Sequence, residues 1–356
     1  MKMISIHTPC YNEEGNVRTV YERVKKVFEG LPGYTYEHIF IDNASEDATV
    51  AILKEIAKED KHVKIIVNTR NFGANRSGTY VLLQTRGDAA IAIAGDLQDP
   101  PELIPEFVCK WEEGYKIVLG VKTKSEESAL MFAVRKAYYR FLERVSDIKL
   151  VRNATGFGLY DREVIDIFRA MDDPEPYFRG IICDIGYERA EIVYTQAARI
   201  RGVSSYNFYR LYEHAILGIT SHSRVPLRLA TVSGFAMAGF SLLVAFGYFV
   251  YKLLYWDNFQ VGIAPLVIGI FFFSAVQLFF IGVLGEYIGA IHTQVLHRPL
   301  VIEKERINFD DREKRADVRL VERSPDRLAS SDIPRKYGLP ISGPIGEGML
   351  MTEEYT

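Results

Sequence analysis

Short apolar runs alternate with segments of helical periodicity through the first half of the chain. Val17, Val20 and Val24 recur at the spacing of one helix face, between the first two apolar runs. The predicted strands are residues 3–8, 38–41, 63–67, 89–94 and 116–119, and the predicted helices are residues 16–28, 48–57, 73–83 and 103–112. This alternation predicts an α/β fold, Rossmann-like with a mostly parallel sheet.

Two much longer apolar runs, residues 229–251 and 263–285, contain no charged residue. At about 1.5 Å per residue, either run as a helix exceeds the roughly 30 Å hydrocarbon core of a bilayer. A buried helix of a large soluble domain is the alternative. Because the two runs are adjacent, they favour a transmembrane hairpin, with Tyr251, Tyr255 and Trp256 at one end as an interfacial aromatic belt.

Basic residues flank both apolar runs and predict the orientation of the chain. Arg224 and Arg228 precede the first run, and Arg298, Lys304 and Arg306 follow the second. No secretory signal precedes the first predicted strand. By the positive-inside rule we expect a multi-pass protein of the inner (plasma) membrane, with the large first domain and both termini in the cytoplasm.

Four segments follow from these patterns. Residues 1–205 form the α/β domain, residues 206–225 an amphipathic juxtamembrane helix, residues 226–292 the two-helix hairpin, and residues 293–356 a C-terminal tail. The amphipathic segment is expected to lie in the membrane interface, with an ordinary packing helix as the alternative.

Composition excludes some classes of partner and site. The net charge of −3 gives no basic field, so we expect no nucleic acid as a partner. Cys10, Cys109 and Cys183 are far apart, without metal-binding spacing, and are interpreted as reduced thiols.

Polar side chains follow three of the predicted strands. Glu13 comes after the first strand, Asp42 after the second, and Asp96 and Gln98 after the fourth. Ligands bind at the carboxyl ends of the strands in open α/β sheets. These groups are therefore expected together at one edge of the sheet, the edge formed by the carboxyl ends of the parallel strands. Carboxylate and amide oxygens suit Mg²⁺ or Mn²⁺, which would bridge Asp96 to a diphosphate. Helix capping and turn chemistry are the alternative for each cluster taken singly.

The motifs at these positions resemble those of the family 2 glycosyltransferases with the GT-A fold. The resemblance is strongest to the polyprenyl-phosphate glycosyltransferases, which include GtrB-type glucosyltransferases, dolichyl-phosphate mannose synthase and ArnC-type transferases. It covers about residues 1–305 and includes two spans after the motifs. The matching segments are residues 9–14, 42–47, 70–73, 96–102, 156–162, 177–180 and 199–206.

The resemblance implies a role for several groups of residues. The nucleoside would be lined by Pro9, Tyr11, Glu13 and Asp42, and the metal would be held by Asp96 and Gln98. Asp161 falls at the acceptor side, with a positioning or modest base role, and is grouped with Asp96 as catalytic. Lys122, Arg135, Arg199 and Ser205 fall at phosphate-binding positions, although a solvated basic face is the alternative for Lys122.

Two positions depart from the family pattern. Ala94 stands where many relatives carry the first carboxylate of Asp-x-Asp, so one possible metal ligand is missing. Lys122 stands where relatives often carry an arginine, which keeps the charge but loses the bidentate fork.

The resemblance therefore implies an inverting hexosyltransferase that moves a sugar from a nucleotide diphosphate to polyprenyl (undecaprenyl) phosphate at the cytoplasmic face. Glucose from UDP-glucose is the first expectation for the donor, and a homotetramer is the implied assembly. A polysaccharide or another lipid acceptor is the alternative, and a non-enzymatic membrane scaffold is a further one.

Overall fold

The computed structural model describes residues 1–123, 151, 153–196, 223, 225–255 and 263–309. Residues Met1–Asn308 form one unit, and Phe309–Thr356 form a second one that lies almost wholly outside the described residues. Most of the predicted amphipathic segment and most of the predicted tail also lie outside them, as do Arg135, Arg199 and Ser205.

Strands and helices alternate along the chain as the hydrophobic pattern predicts. The strands are β1 (Lys2–Cys10), β2 (Tyr34–Asp42), β3 (Val63–Asn68), β4 (Ala89–Ala92), β5 (Ile117–Lys122), β6 (Ala154–Asp161), β7 (Arg189–Tyr194) and β8 (Glu303–Ile307). The helices are α1 (Val17–Glu29), α2 (Thr49–Glu59), α3 (Ala74–Gln84), α4 (Ile104–Glu112), α5 (Arg162–Met171), α6 (Phe178–Asp184), α7 (Val225–Leu254) and α8 (Ile263–Val295). A 3₁₀ turn, Pro101–Leu103, leads into α4.

The described strands form one sheet in the order β7-β5-β6-β4-β1-β2-β3-β8. Strands β1 to β4 run parallel, and β5 and β7 run in the same direction. Only β6 and β8 among these strands run the opposite way. Strand β6 lies between β4 and β5, and β8 is the outermost strand, beside β3. The prediction of a mostly parallel α/β sheet is confirmed.

Hydrophobic side chains cover both faces of the sheet. Ile4 and Ile6 of β1 pack with Phe107 of α4 on one face, and Phe40 of β2 packs with Leu53 of α2 in another cluster. These side chains are wholly buried. Full burial of each large apolar side chain contributes about 1.5–3 kcal/mol, so the helices hold the strand ends in fixed register.

Helices α7 and α8 are candidate membrane spans by length and composition. Their apolar windows, Val225–Tyr251 and Ile268–Val295, have mean hydropathies of 1.9 and 2.2, and neither window is buried within the chain. The Tyr287 hydroxyl donates to the Ser223 carbonyl at 2.6 Å, and Gln294 donates to the Asp173 carboxylate at 2.8 Å. The chain just before α7 therefore lies against α8, and the end of α8 contacts the α/β domain.

The segment after α8 returns to the sheet, which corrects the predicted boundary of the tail at residue 293. Helix α8 continues to Val295, and Glu303–Ile307 then pairs antiparallel with β3. Asn308 donates to the carbonyls of Ala57 and Val63 at 2.7 and 2.8 Å. The strand was missed because β8 is an edge strand, and charged residues typical of such edges look like a solvated tail.

Two buried histidines make this fold sensitive to acid. His7 and His38 lie on neighbouring strands, 3% and 0% exposed, and burial lowers the pKa of each to about 3. The unfolded chain, with histidine pKa values near 6.5, binds protons that the fold excludes between about pH 6.5 and 3. The contribution of these two neutral histidines to the free energy of unfolding is thus fully present above about pH 6.5 and is lost as the pH falls.

We expect the free energy of unfolding to decrease by about 1 kcal/mol per pH unit for each histidine below pH 6.5. Thermal unfolding of the detergent-solubilised protein between pH 7.5 and 5 measures this slope. The double variant His7→Gln/His38→Gln is expected to be less stable at pH 7.5 but to show a flatter pH dependence. An unchanged slope in that variant contradicts the assignment.

Candidate functional site

The carboxyl end of β1 lies between the ends of β2 and β4. Cys10 pairs with Asp42 of β2, and His7 pairs with Ala92 of β4. A Cβ on Gly95 would lie 3.3 Å from the Pro9 carbonyl, so the chain after β4 passes close against the end of β1. Asp42 and Asp96 are thereby brought to the same edge of the sheet, on opposite sides of β1.

The loop after β2 is built around the Asp42 carboxylate. Asp42 is fully buried, accepts the Ser45 N–H at 2.9 Å and accepts the Ser45 hydroxyl at 2.5 Å. Ala44 adopts a left-handed φ of 62°, which turns the chain so that Ser45 reaches back. Burial raises the pKa of Asp42, and the hydrogen bonds from Ser45 oppose this rise because they favour the carboxylate.

The loops after β1 and β2 are joined by hydrogen bonds. The Asn12 N–H donates to the Ser45 hydroxyl at 2.9 Å, and the Asn12 side chain accepts the Glu46 N–H at 2.9 Å. Glu13 is buried and its carboxylate accepts the Asn16 amide at 2.5 Å. These contacts fix the loop that carries Tyr11, which is 36% exposed.

The structure thus brings Pro9, Tyr11, Glu13 and Asp42 together at one end of the edge. Their contact with a nucleoside stays a prediction.

Asn43 connects the ends of β2 and β3. Its side-chain oxygen accepts the Phe72 N–H at 2.9 Å and the Ser77 hydroxyl at 3.0 Å, and its amide donates to the Asn71 side chain at 3.0 Å. The Asn68 amide also donates to Asn43, at 3.2 Å. The sequence alone indicated no role for this network, although Asn43 and Asn71 lie in the motif segments 42–47 and 70–73.

A left-handed residue shapes the turn that carries Asp96. Leu97 has a φ of 61° and packs into the core beside Cys10 and Val17. The Gln98 N–H donates to the Asp96 carboxylate at 3.2 Å. Because Leu97 points inward, Asp96 and Gln98 are held next to each other and half-buried at the edge.

Asp99 serves the structure of this turn. It is 6% exposed and accepts the Tyr194 hydroxyl at 2.8 Å. Burial raises the pKa of Asp99, as does the charge of Asp96, whereas the hydrogen bond from Tyr194 and the ammonium of Lys122 lower it. Lys122, the last residue of β5, therefore lies within electrostatic range of the Asp96 turn.

Asp96 and Gln98 are compatible with a hard divalent cation. Within the described ranges no group of three or more His, Cys, Asp and Glu residues could hold a metal. Mg²⁺ commonly binds through only one or two protein carboxylates, with substrate phosphates and waters completing its octahedron. One carboxylate and one amide oxygen, both half-buried at the edge, fit that mode of binding.

The structure does not bring Asp161 together with Asp96, and its role at the acceptor side stays a prediction. Strand β6 is antiparallel, so its last residue, Asp161, pairs with Ala89 at the start of β4, the edge opposite Asp96. The Asp161 carboxylate accepts the Trp111 indole N–H at 2.7 Å and the Glu163 N–H at 2.9 Å, and Lys116 lies 3.2 Å away. Asp161 is thus the N-cap of α5 and a buried structural acceptor.

The sequence model described as "Glycosyl transferase family 2" matches residues 5–168. The chain is 34% identical over 309 residues to "Uncharacterized glycosyltransferase YkcC" of Bacillus subtilis (strain 168), covering 86% of the chain and 95% of the relative. It is 35% identical over 302 residues to the "Bactoprenol glucosyl transferase" of Shigella phage SfV, covering 85% and 98%.

Among solved structures, the chain is similar to glucosyl-3-phosphoglycerate synthase from Mycobacterium tuberculosis in complex with Mn²⁺, uridine-diphosphate and phosphoglyceric acid. The TM-score is 0.43 and the identity 18%, covering 62% of this chain and 76% of that one.

The position of Asp161 generates a prediction about stability. We expect Asp161→Ala to lower the free energy of unfolding by about 2–3 kcal/mol, because it removes a helix cap and leaves the buried Trp111 N–H unsatisfied. Asp161→Asn retains a capping oxygen and is expected to lose less. Thermal and urea unfolding measure both variants, and wild-type stability of Asp161→Ala would contradict the structural role.

Proposed function

The chain belongs to glycosyl transferase family 2, and on this premise we propose that it transfers glucose from UDP-glucose to a polyprenyl phosphate of the undecaprenyl type. Relatives named bactoprenol glucosyl transferase, matched over nearly their whole length, support this choice of sugar and acceptor. The observation that carries the proposal is the convergence of Asp42 and Asp96 on one sheet edge, on either side of β1.

The two sides of this edge suit different parts of a nucleotide sugar. The buried, hydrogen-bonded loops around Asp42 offer a rigid polar wall for the nucleoside, with Pro9 and Tyr11 as its apolar cover. The turn around Asp96, with Lys122 close by, suits the diphosphate. Asp96 and Gln98 would hold Mg²⁺ or Mn²⁺, which when bound neutralises charge that develops on the departing diphosphate.

The chemistry requires little from a protein base. The acceptor phosphate is already anionic at neutral pH, so one of its oxygens can attack the anomeric carbon without prior proton removal. The new C–O bond forms as the bond to the diphosphate breaks, and UDP leaves with the electron pair. Attack from the opposite face inverts the anomeric carbon. The proposed step needs no proton transfer to Asp161, whose strand end lies at the edge opposite Asp96.

The acceptor lipid requires the site to be held at a membrane. The chain just before α7 lies against α8, and the end of α8 contacts the α/β domain, so a bilayer around the two helices would place the lipid phosphate near this domain. We propose a plasma-membrane protein with the α/β domain and both termini in the cytoplasm. Assembly into a homo-oligomer, a tetramer by family resemblance, is part of the proposal.

A donor and acceptor panel tests this function. With UDP-glucose and undecaprenyl phosphate in detergent micelles, we expect a lipid-linked glucose product and stoichiometric UDP. UDP-glucose should exceed GDP-mannose and UDP-galactose in kcat/KM by at least about tenfold, the range that a few pocket contacts provide. Transfer to an oligosaccharide but not to the lipid would favour the polysaccharide alternative. Absence of nucleotide binding would favour a scaffold.

Replacement of Asp96 tests the diphosphate side of the edge. We expect Asp96→Asn to lower kcat by about 10²-fold or more, because a charge interaction that stabilises the transition state is lost. Asp161→Ala, at the opposite edge, is the matched control and should retain kcat within about twofold per folded molecule, because it touches no reacting group. Equal losses in the two variants would contradict the assignment of the edges.

A further inference from the structure

The chain that leaves the second candidate span is attached directly to the domain edge that carries the site. The Thr69 N–H donates to the Ile302 carbonyl at 2.9 Å, and the Thr69 hydroxyl donates to the same carbonyl at 3.1 Å. Strand β8 then runs along β3. Thr69 follows directly after β3, at the same end of the strand as the Asn43 network. Residues 299–307 are therefore a strap between α8 and the sheet.

Arg76 holds the start of this strap. It lies in the first turn of α3, half-buried, and its Nε donates to the Leu300 carbonyl at 3.0 Å. One terminal nitrogen donates to the Pro299 carbonyl at 2.6 Å. The planar guanidinium fork can bind two neighbouring carbonyls at once, which a lysine ammonium does with less geometric definition. Arg76 thus fixes the backbone only a few residues after α8 ends.

The same arginine contacts the loop beside the nucleotide side of the edge. Its guanidinium carbon lies 5.7 Å from the centre of the Phe72 ring, whose other cationic neighbour, Arg70, lies at 4.0 Å. Phe72 is buried and its N–H donates to Asn43, the residue that follows Asp42. Ser77, next to Arg76 in α3, also donates to Asn43.

An unbroken series of contacts therefore joins the exit of the span to the edge. It runs from the Pro299 and Leu300 carbonyls through Arg76 and Phe72 to Asn43. Each member is fixed by a hydrogen bond or a ring contact within the α/β domain.

We propose that Arg76 is a positioning residue that sets the orientation of the donor edge relative to the membrane, and thereby the approach of the lipid phosphate to the bound sugar. This inference rests on the proposed function. A displacement of about 1 Å between reacting atoms can lower a rate about 10²-fold, so a loose strap affects catalysis without removing any group that touches substrate.

Orientation matters only when the acceptor is held in a bilayer, which gives a test that separates positioning from general damage. With long-chain undecaprenyl phosphate in liposomes, Arg76→Ala is expected to lower kcat about tenfold or more. With a short-chain, water-soluble isoprenyl phosphate, the same variant should stay within about threefold of wild type, since this acceptor diffuses to the site. Arg76→Lys, which keeps the charge but loses the fork, should lie between the two.

Lys54→Ala is the matched control. Lys54 forms an ion pair with Glu305 of the same strap at 2.5 Å, but it lies in α2 and, among the described residues, forms no hydrogen bond or ion pair with Phe72 or Asn43. We expect it to retain wild-type activity with both acceptors. Equal losses of Arg76→Ala on both acceptors, or no loss on either, would overturn the proposal.

Hydrogen exchange provides a readout that is independent of turnover. In Arg76→Ala, amide exchange of peptides that cover residues 69–73 and 299–303 should rise in the full-length protein, and in Lys54→Ala the 69–73 peptides should stay as in wild type. If wild type transfers sugar to neither acceptor, the proposed function fails, and the exchange experiment alone decides the coupling. Unchanged exchange in Arg76→Ala overturns it.

Discussion

The hydrogen-bonded pairing of β1 with β2 on one side and β4 on the other is the constraint on which the site depends. Neighbouring strands lie about 4.8 Å apart, so two strand ends that flank a third are about 10 Å apart along the edge. Asp42 is the last residue of β2, and Asp96 lies in the turn that follows the end of β4. That separation suits two parts of one extended ligand, a nucleoside on one side of β1 and a diphosphate on the other. The position of Asp42 follows from the strand register, and that of Asp96 from a turn held by the buried Leu97.

The sequence predicted this edge because strand ends can be read from where apolar runs stop. The runs before Asp42 and Asp96 are continuous and apolar, as expected for strands buried on both faces. Strand direction is not encoded in such a run, and Asp161 shows the consequence. Its strand, β6, is inserted antiparallel between β4 and β5, so a carboxylate at the end of an apolar segment arrives at the opposite edge. Only the pairing partners decide the direction.

Long-range partners also explain why the strap was missed. Residues 303–306 alternate acidic and basic side chains, and local patterning gives no apolar face that would indicate a strand. Their partners, Lys54, Tyr80 and Gln84, lie more than two hundred residues earlier in the chain. The Asn43 network has the same character, since this amide side chain becomes a structural centre only when the end of β3, the loop after it and α3 meet around it. Contacts of this kind are set by topology.

The number of protein ligands available to a cation follows from packing around β1. A side chain at Gly95 would crowd the Pro9 carbonyl, and the Ala94 N–H donates to the Asp99 carboxylate at 3.4 Å. Asp99 points inward and accepts the hydroxyl of Tyr194. Burial raises the pKa of Asp99, so its charged form is disfavoured there. Asp96 therefore provides the carboxylate of the turn on the ligand side, and Gln98 the neighbouring amide. A cation with so few protein ligands must take the rest of its coordination from phosphate and water, so its binding and that of the nucleotide sugar are expected to strengthen each other.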